Sequence, residues 1–156
     1  EVRKDLDKRP VEGVDGSFPE GEIVEKLAKY GISAAEVKLW GTGTPMREFL
    51  WSEDMADASV HVLLNVDATD TQPKDTVEIR NCHINVGTGK EVSIREAAEL
   101  IVKEIGFQGT IFWDSSKPDG TMRKLTDVSK LNGLGWRHSV EIDEGIHRIY
   151  EWYINS

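Results

Sequence analysis

Trp40-Gly41-Thr42-Gly43-Thr44-Pro45-Met46-Arg47-Glu48-Phe49-Leu50-Trp51 runs into Ser52-Glu53-Asp54-Met55-Ala56. Just upstream, Glu36-Val37-Lys38-Leu39-Trp40 alternates as a β-strand does and stops at a glycine turn. The apolar run from Arg47 to Trp51 reads as a second, short strand. Ser52 is an N-cap type, and Glu53 and Asp54 bring carboxylates to the first turn of a helix, where the dipole favours them. Arg47 is held between a proline-containing turn and a strand. A guanidinium fixed that way suits bidentate binding of a phosphate. Spacing alone leaves open a plainer reading, in which the turn only connects strands and Arg47 is a surface ion-pair partner. The turn is not the dinucleotide fingerprint, since its sixth position is Met46 rather than glycine and a strand follows it rather than a helix.

Outward from this stretch the chain alternates strands and helices. Residues 18–30 read as a helix with Pro19 in its first turn and Ile23, Leu27 and Tyr30 on one face, Val24 nearby, ending at Gly31. Residues 52–66 read as another, with Met55, Ala56, Ser59, Val62 and Leu63 sharing a face. His61 lies on or beside that face as a packed or surface histidine. Residues 67–80 are polar and read as a loop. Residues 82–87 read as a strand, with Cys82 a buried small residue beside it and Gly87-Thr88-Gly89 as its turn. Ser93-Ile94-Arg95-Glu96 fits a capping box that opens a helix whose buried face is Ile94, Ala97, Ala98, Ile101, Val102 and Ile105. The next strand is expected over residues 110–113. Strand, glycine turn, capped helix and strand make an α/β domain. A short helix from Thr126 to Leu134 and a closing helix over residues 139–155 complete it, the latter with Ile142, Ile146, Ile149, Tyr150 and Tyr153 on its apolar side.

The 156 residues are 38% hydrophobic, enough for one domain with a core. The net charge of -9 argues against a nucleic-acid partner, which calls for a basic face. It leaves room for a local cationic pocket. A single cysteine rules out an internal disulfide and fits a reducing compartment. The sequence carries no long apolar run to span a membrane and no signal peptide pattern.

Residues 114–125 are polar and centre on Lys117-Pro118-Asp119-Gly120, a strong turn signal. Composition alone makes this a surface loop. A functional reading gives Asp119, an acceptor-only carboxylate, to sugar or ribose hydroxyls, with Lys117, Arg123 and Lys124 as nearby cations.

Three stretches together resemble the GDP-L-fucose synthase family. They are residues 40–56, His83-Ile84-Asn85-Val86-Gly87-Thr88-Gly89, and Ser116-Lys117-Pro118-Asp119-Gly120-Thr121-Met122-Arg123-Lys124-Leu125. The family comprises GDP-4-keto-6-deoxymannose epimerase/reductases of the extended short-chain dehydrogenase/reductase superfamily. The resemblance runs from about Val37 to the C-terminus and covers only the C-terminal part of such an enzyme. It implies a small α/β substrate-binding domain over residues 17–156, with a short mixed sheet and packed helices. Residues 1–16, charged and turn-rich, are expected to be flexible or an insertion near the domain junction.

By motif position the resemblance implies GDP-sugar contacts at Trp40, Arg47 and Asp119, with Arg47 on the pyrophosphate and Asp119 on hydroxyls. Some members place a basic residue near Thr110, so one contact is absent or replaced here. The family's NADP(H) is implied to bind mainly to an N-terminal domain that this chain does not include. There NADPH reduces the 4-keto sugar after epimerisation at C3 and C5. The parent enzyme is expected to be a cytoplasmic homodimer. The chain itself has neither the cofactor fingerprint nor a Tyr-x-x-x-Lys pair, since no lysine follows Tyr30, Tyr150 or Tyr153 at that spacing. No catalytic residue is assigned, and the chain alone is expected to be inactive. Two alternatives stand beside this reading: another nucleotide-sugar epimerase or dehydratase of the superfamily, or a non-catalytic binding or interaction domain.

Overall fold

The structure, a computed structural model, describes residues 2–74 and 78–156. In chain order the elements are α1 (Val2–Lys8), α2 (Glu20–Ala28), β1 (Glu36–Trp40), β2 (Met46–Arg47), α3 (Ser52–Asn65), a 3-10 turn (Ala68–Thr71), β3 (Val92–Ser93), α4 (Ile94–Ile105), β4 (Thr110–Asp114), α5 (Ser129–Gly133) and α6 (Ile142–Asn155). They divide into two units. One comprises Glu1–Gly43 and Phe107–Asp119, the other Thr44–Gly106 and Gly120–Ser156. The α/β class holds. The strands form two pairs rather than one mixed sheet: β1 runs parallel to β4, and β2 antiparallel to β3.

In the first unit, Leu6, Val14 and Ile23 are buried together, with Val11, Phe18 and Leu27 packed on them. Each such side chain contributes about 1.5–3 kcal/mol when fully buried. Within the segment expected to be flexible or an insertion, Val2–Lys8 thus forms a helix with Leu6 in this core. Arg3 fastens it, its Nη1 donating to the carbonyls of Gly16 at 2.7 Å and Phe18 at 2.8 Å. The Gly16 N–H donates to Asp7. Helix α2 buries Ile23, but Val24 and Tyr30 are exposed, contrary to the expected face. Tyr30 instead donates its hydroxyl to Glu12. The β1–β4 register sets Glu36 opposite Thr110 and Trp40 opposite Asp114.

In the second unit Ala58, Leu131 and Trp136 form the core, joined by Leu50, Val62, Ile84 and Val86. The capping box at Ser93 is present in full. Ser93 Oγ accepts from the Glu96 N–H at 3.0 Å, and Glu96 Oε2 accepts from the Ser93 N–H at 2.7 Å. Helix α4 stops at Gly106, which takes the left-handed φ of 66° that glycine adopts freely.

Several expectations in this unit are corrected. Ser52 is the first residue of α3, not its cap; Trp51 holds the cap position, its side chain capping no backbone amide and its indole N–H donating instead to Glu53 at 3.1 Å. The buried positions of α3 are Asp54 and Ala58, while Met55 and Leu63 are exposed, the latter 80%. The buried stripe runs one residue out of phase because Asp54 faces inward to hold the start of α6. Its Oδ1 accepts from the Ser139 hydroxyl and its Oδ2 from the Ser139 and Val140 amides. On α4, Ala97 is buried but Ile101 and Ile105 are exposed, and on α6 Ile149 and Tyr153 are exposed. Residues 82–87 keep the alternation of a strand, yet no ladder partner pairs with them among the described residues, and Cys82 is only half-buried. The apolar run after Arg47 likewise has no ladder beyond Met46–Arg47. Helix α5 is shorter than expected. The loop expected over residues 67–80 contains the 3-10 turn, and its residues 75–77 lie outside those described.

Candidate functional site

Trp40 ends β1 and is 74% exposed. Lys117 sits over that ring, with its Nζ 5.5 Å from the centroid, a distance at which a cation is attracted to the indole face. Asp119 closes the same end of the unit. Its Oδ1 accepts from the Thr42 N–H at 2.8 Å and its Oδ2 from the Thr42 hydroxyl at 2.7 Å. The Thr42 hydroxyl and then its amide hold the Asp119 carboxyl below the usual carboxylate range. Both oxygens are thus engaged inside the chain, although each keeps a further lone pair for a ligand hydroxyl. Trp40 and Asp119 therefore lie together in the first unit.

Arg47 lies in the second unit. Its Nη1 donates to the carbonyls of Met46 at 2.6 Å and Thr121 at 2.7 Å. Two carbonyls fix the guanidinium but leave its charge unbalanced, because no carboxylate pairs with Arg47 among the described residues. It lines a cleft of about 210 Å³ with Phe49, Val92, Val140, Lys90 and Glu91. Of the other basic candidates, Arg123 is taken up by an ion pair, its Nε donating to Glu91 Oε1 at 2.7 Å. Lys90 pairs with Glu141. Thr110, opposite Glu36, brings no cation to its position.

The two Gly-Thr-Gly turns test whether this chain holds a dinucleotide. Each is filled by one of the protein's own carboxylates. Asp119 occupies the turn at Gly41, where an added Cβ would lie 2.3 Å from its Oδ1. Glu48 occupies the turn at Gly87. Its Oε1 accepts from the Thr88 and Gly89 amides, both at 2.7 Å, and its Oε2 from the Thr126 amide at 3.1 Å. Burial pushes the Glu48 carboxyl up, but hydrogen bonds from Thr126, Gly89 and Thr88 outweigh it and leave it below its ordinary value. Amides already saturated by a carboxylate do not fit a cofactor pyrophosphate, so neither turn is a phosphate cradle.

Reading the sequence assigned no role to Glu48 or Glu91. Glu48 directly follows Arg47 in the central stretch. Glu91 stands two residues past the second glycine turn.

Residues 13–87 match the model of the NAD dependent epimerase/dehydratase family. A GDP-L-fucose synthase of Escherichia coli (strain K12) is 46% identical over 127 residues, covering 80% of this chain and 38% of that protein. Among solved structures, a GDP-6-OMe-4-keto-L-xylo-heptose reductase from C. jejuni superposes with a TM-score of 0.85 at 37% identity, covering 99% of this chain and 41% of that one. A GDP-mannoheptose C4 reductase from Campylobacter jejuni with NADP bound gives a TM-score of 0.75 at 39% identity, covering 88% of this chain and 38% of that one. The chain thus spans about a third of the length of the curated relatives it matches. A nicotinamide cofactor is a property of the family. Sequence likeness over four-fifths of the chain and shared fold over nearly all of it agree: the chain resembles the GDP-L-fucose synthases and related GDP-sugar reductases, and nearly half of it matches the NAD dependent epimerase/dehydratase family.

Proposed function

We propose that this chain is the GDP-sugar-binding portion of a GDP-L-fucose synthase. That enzyme converts GDP-4-keto-6-deoxy-D-mannose to GDP-L-fucose by 3,5-epimerisation and NADPH-dependent reduction of the 4-keto group. The three relatives described above are named for GDP-sugars, which supports a guanosine diphosphate in the ligand. The observation that carries the reading is Arg47, whose guanidinium is pinned by two carbonyls and balanced by no carboxylate among the described residues. A pinned, unbalanced guanidinium binds a pyrophosphate with little entropy cost, because its fork is already oriented. Asp119 then accepts from hydroxyls through its free lone pairs, and Trp40 offers an open aromatic face.

In this reading NADPH binds mainly to an N-terminal domain, and the filling of both glycine turns by Asp119 and Glu48 supports that assignment. The role of this chain is positional. Binding energy gained on the nucleotide, away from the reacting carbon, holds the sugar where the chemistry occurs.

Calorimetric titration with GDP tests the reading. Arg47→Ala should weaken binding by about 10–100-fold, and Arg47→Lys should restore little of it, since an ammonium lacks the bidentate fork. Unchanged affinity in Arg47→Ala would remove Arg47 from the site. An absence of any nucleotide binding by the protein would favour the interaction-domain alternative.

A further inference from the structure

One of the two carbonyls that orient Arg47 belongs to its own strand; the other comes from a distant segment that needs a support of its own. Thr121, whose carbonyl accepts from Arg47 Nη1, lies in no helix or strand. Backbone without a ladder keeps its place only through individual contacts. Three of them hold this segment. The Met46 amide donates to the Met122 carbonyl at 2.8 Å, and the Thr126 amide donates to Glu48 Oε2 at 3.1 Å. Between these two, Arg123 Nε donates to Glu91 Oε1 at 2.7 Å. Glu91 adjoins Val92, which stands opposite Arg47 in the β2–β3 pair. The contacts therefore close a ring. It runs from Arg47 to the Thr121 carbonyl, along the chain to Arg123, across to Glu91, and back through Val92 to Arg47.

The link between Arg123 and Glu91 is firmer than a surface ion pair. Arg123 is 67% exposed, but the Glu91 side chain is only 13% exposed. Glu91 Oε2 is buried and has no hydrogen-bond partner among the described residues. A carboxylate enclosed in this way has little water to turn to, so it depends on its guanidinium more than an exposed carboxylate would. The segment also lies close against Arg47, since a Cβ at Gly120 would stand 3.3 Å from Arg47 Nη2.

We infer that Glu91 and Arg123 are positioning residues for Arg47. They hold the Thr121 carbonyl against its guanidinium and so keep the fork turned toward the ligand's pyrophosphate. The ligand in this inference rests on the GDP-sugar reading above; the support of Arg47 does not.

A double-mutant cycle on GDP affinity, measured by calorimetry, tests the role. Arg123→Ala should weaken GDP binding about three- to tenfold in the unaltered background. In the Arg47→Ala background it should change affinity by less than about twofold, because the residue it works through is gone. Arg123→Lys, which keeps a cation for Glu91, should recover most of the loss. Glu91→Met removes the link without leaving a buried charge, and should reproduce the loss even if Arg123→Ala does not fold. Equal losses with and without Arg47 would overturn the inference, by making Arg123 a direct phosphate contact or a general prop. Nitrogen-15 relaxation of the Arg47 Nε–H reads the link with no nucleotide present. Its motion should increase in Glu91→Met, and unchanged relaxation would overturn the support of Arg47. A failure of the unaltered protein to bind GDP would sink the GDP-sugar reading alone, since the relaxation measurement still decides whether the pair holds Arg47.

Discussion

Thr42 and Asp119 are joined twice across 77 positions of sequence, amide to Oδ1 and hydroxyl to Oδ2. The pair leaves no room for a side chain at Gly41, which has φ 81°. Gly41→Ala meets both a strained backbone and a Cβ 2.3 Å from Oδ1. It should destabilise the protein by about 1–3 kcal/mol. Urea unfolding measures this, and an unchanged midpoint would show that the latch is not held in solution.

Acid should dismantle the second unit through Glu48 and Asp54. For each, burial pushes the pKa up, but hydrogen bonds more than compensate and the folded value lies below the ordinary one. A depressed carboxylate contributes stability above its unfolded pKa, about 4.5 for Glu48 and 3.8 for Asp54. That contribution is lost as pH falls through the lower folded value. Glu48→Gln should cost about 1–3 kcal/mol at neutral pH and make the acid limb of the stability curve shallower. Thermal melts between pH 7 and pH 3 would reveal it; parallel limbs in the two proteins would deny Glu48 this role.

His147 responds to pH with the opposite sign. Its Nδ1 lies 2.7 Å from Glu104 Oε1, joining α6 to α4. The hydrogen bond to Glu104 raises the histidine pKa above 6.5. Its stabilising effect is therefore complete below pH 6.5 and disappears as pH rises through the raised folded value. Between pH 6 and pH 9 the unaltered protein should lose an increment of melting temperature that His147→Gln does not. NMR titration of the ring gives an independent reading, and a midpoint at or below 6.5 would contradict the pairing.

At the N-terminus, Gly16→Ala should release α1, because the added Cβ would fall 2.2 Å from the Arg3 carbonyl oxygen. Trypsin should then cut faster at Arg3, Lys4 and Lys8. Equal cleavage in both proteins would mean that α1 is not docked.

What the sequence made legible was local. The capping box at Ser93, the stop at Gly106 and the strands flanking the excursion from Trp40 to Thr110 depend on neighbours a few positions apart, and all are present. The three motifs that carried the resemblance were equally legible. Contacts between distant residues were not. The engagement of Asp119 by Thr42, the saturation of the Gly87 turn by Glu48, and the inward turn of Asp54 each join an acid to amides at least 40 positions away, and no periodicity encodes them. Helix α1 escaped notice because seven residues supply one buried apolar side chain, Leu6, too few to register as a stripe. At the candidate site, Arg47 was legible as a constrained cation. Glu91 was not, since an unpartnered carboxylate oxygen exists only once the fold has enclosed it.

The parallel register of β1 with β4 has a consequence for biosynthesis. Glu36 has to wait for Thr110, and Trp40 for Asp114, before either strand gains its ladder. A ribosome adding about 5–20 residues per second needs several seconds to deliver the missing partner. During that interval β1 is an unpaired edge tipped by an exposed tryptophan, the kind of segment that pairs wrongly with other nascent chains. The first unit is thus completed by a late-emerging segment, and its vulnerable period on the ribosome is set by the length of the chain intervening between its two strands.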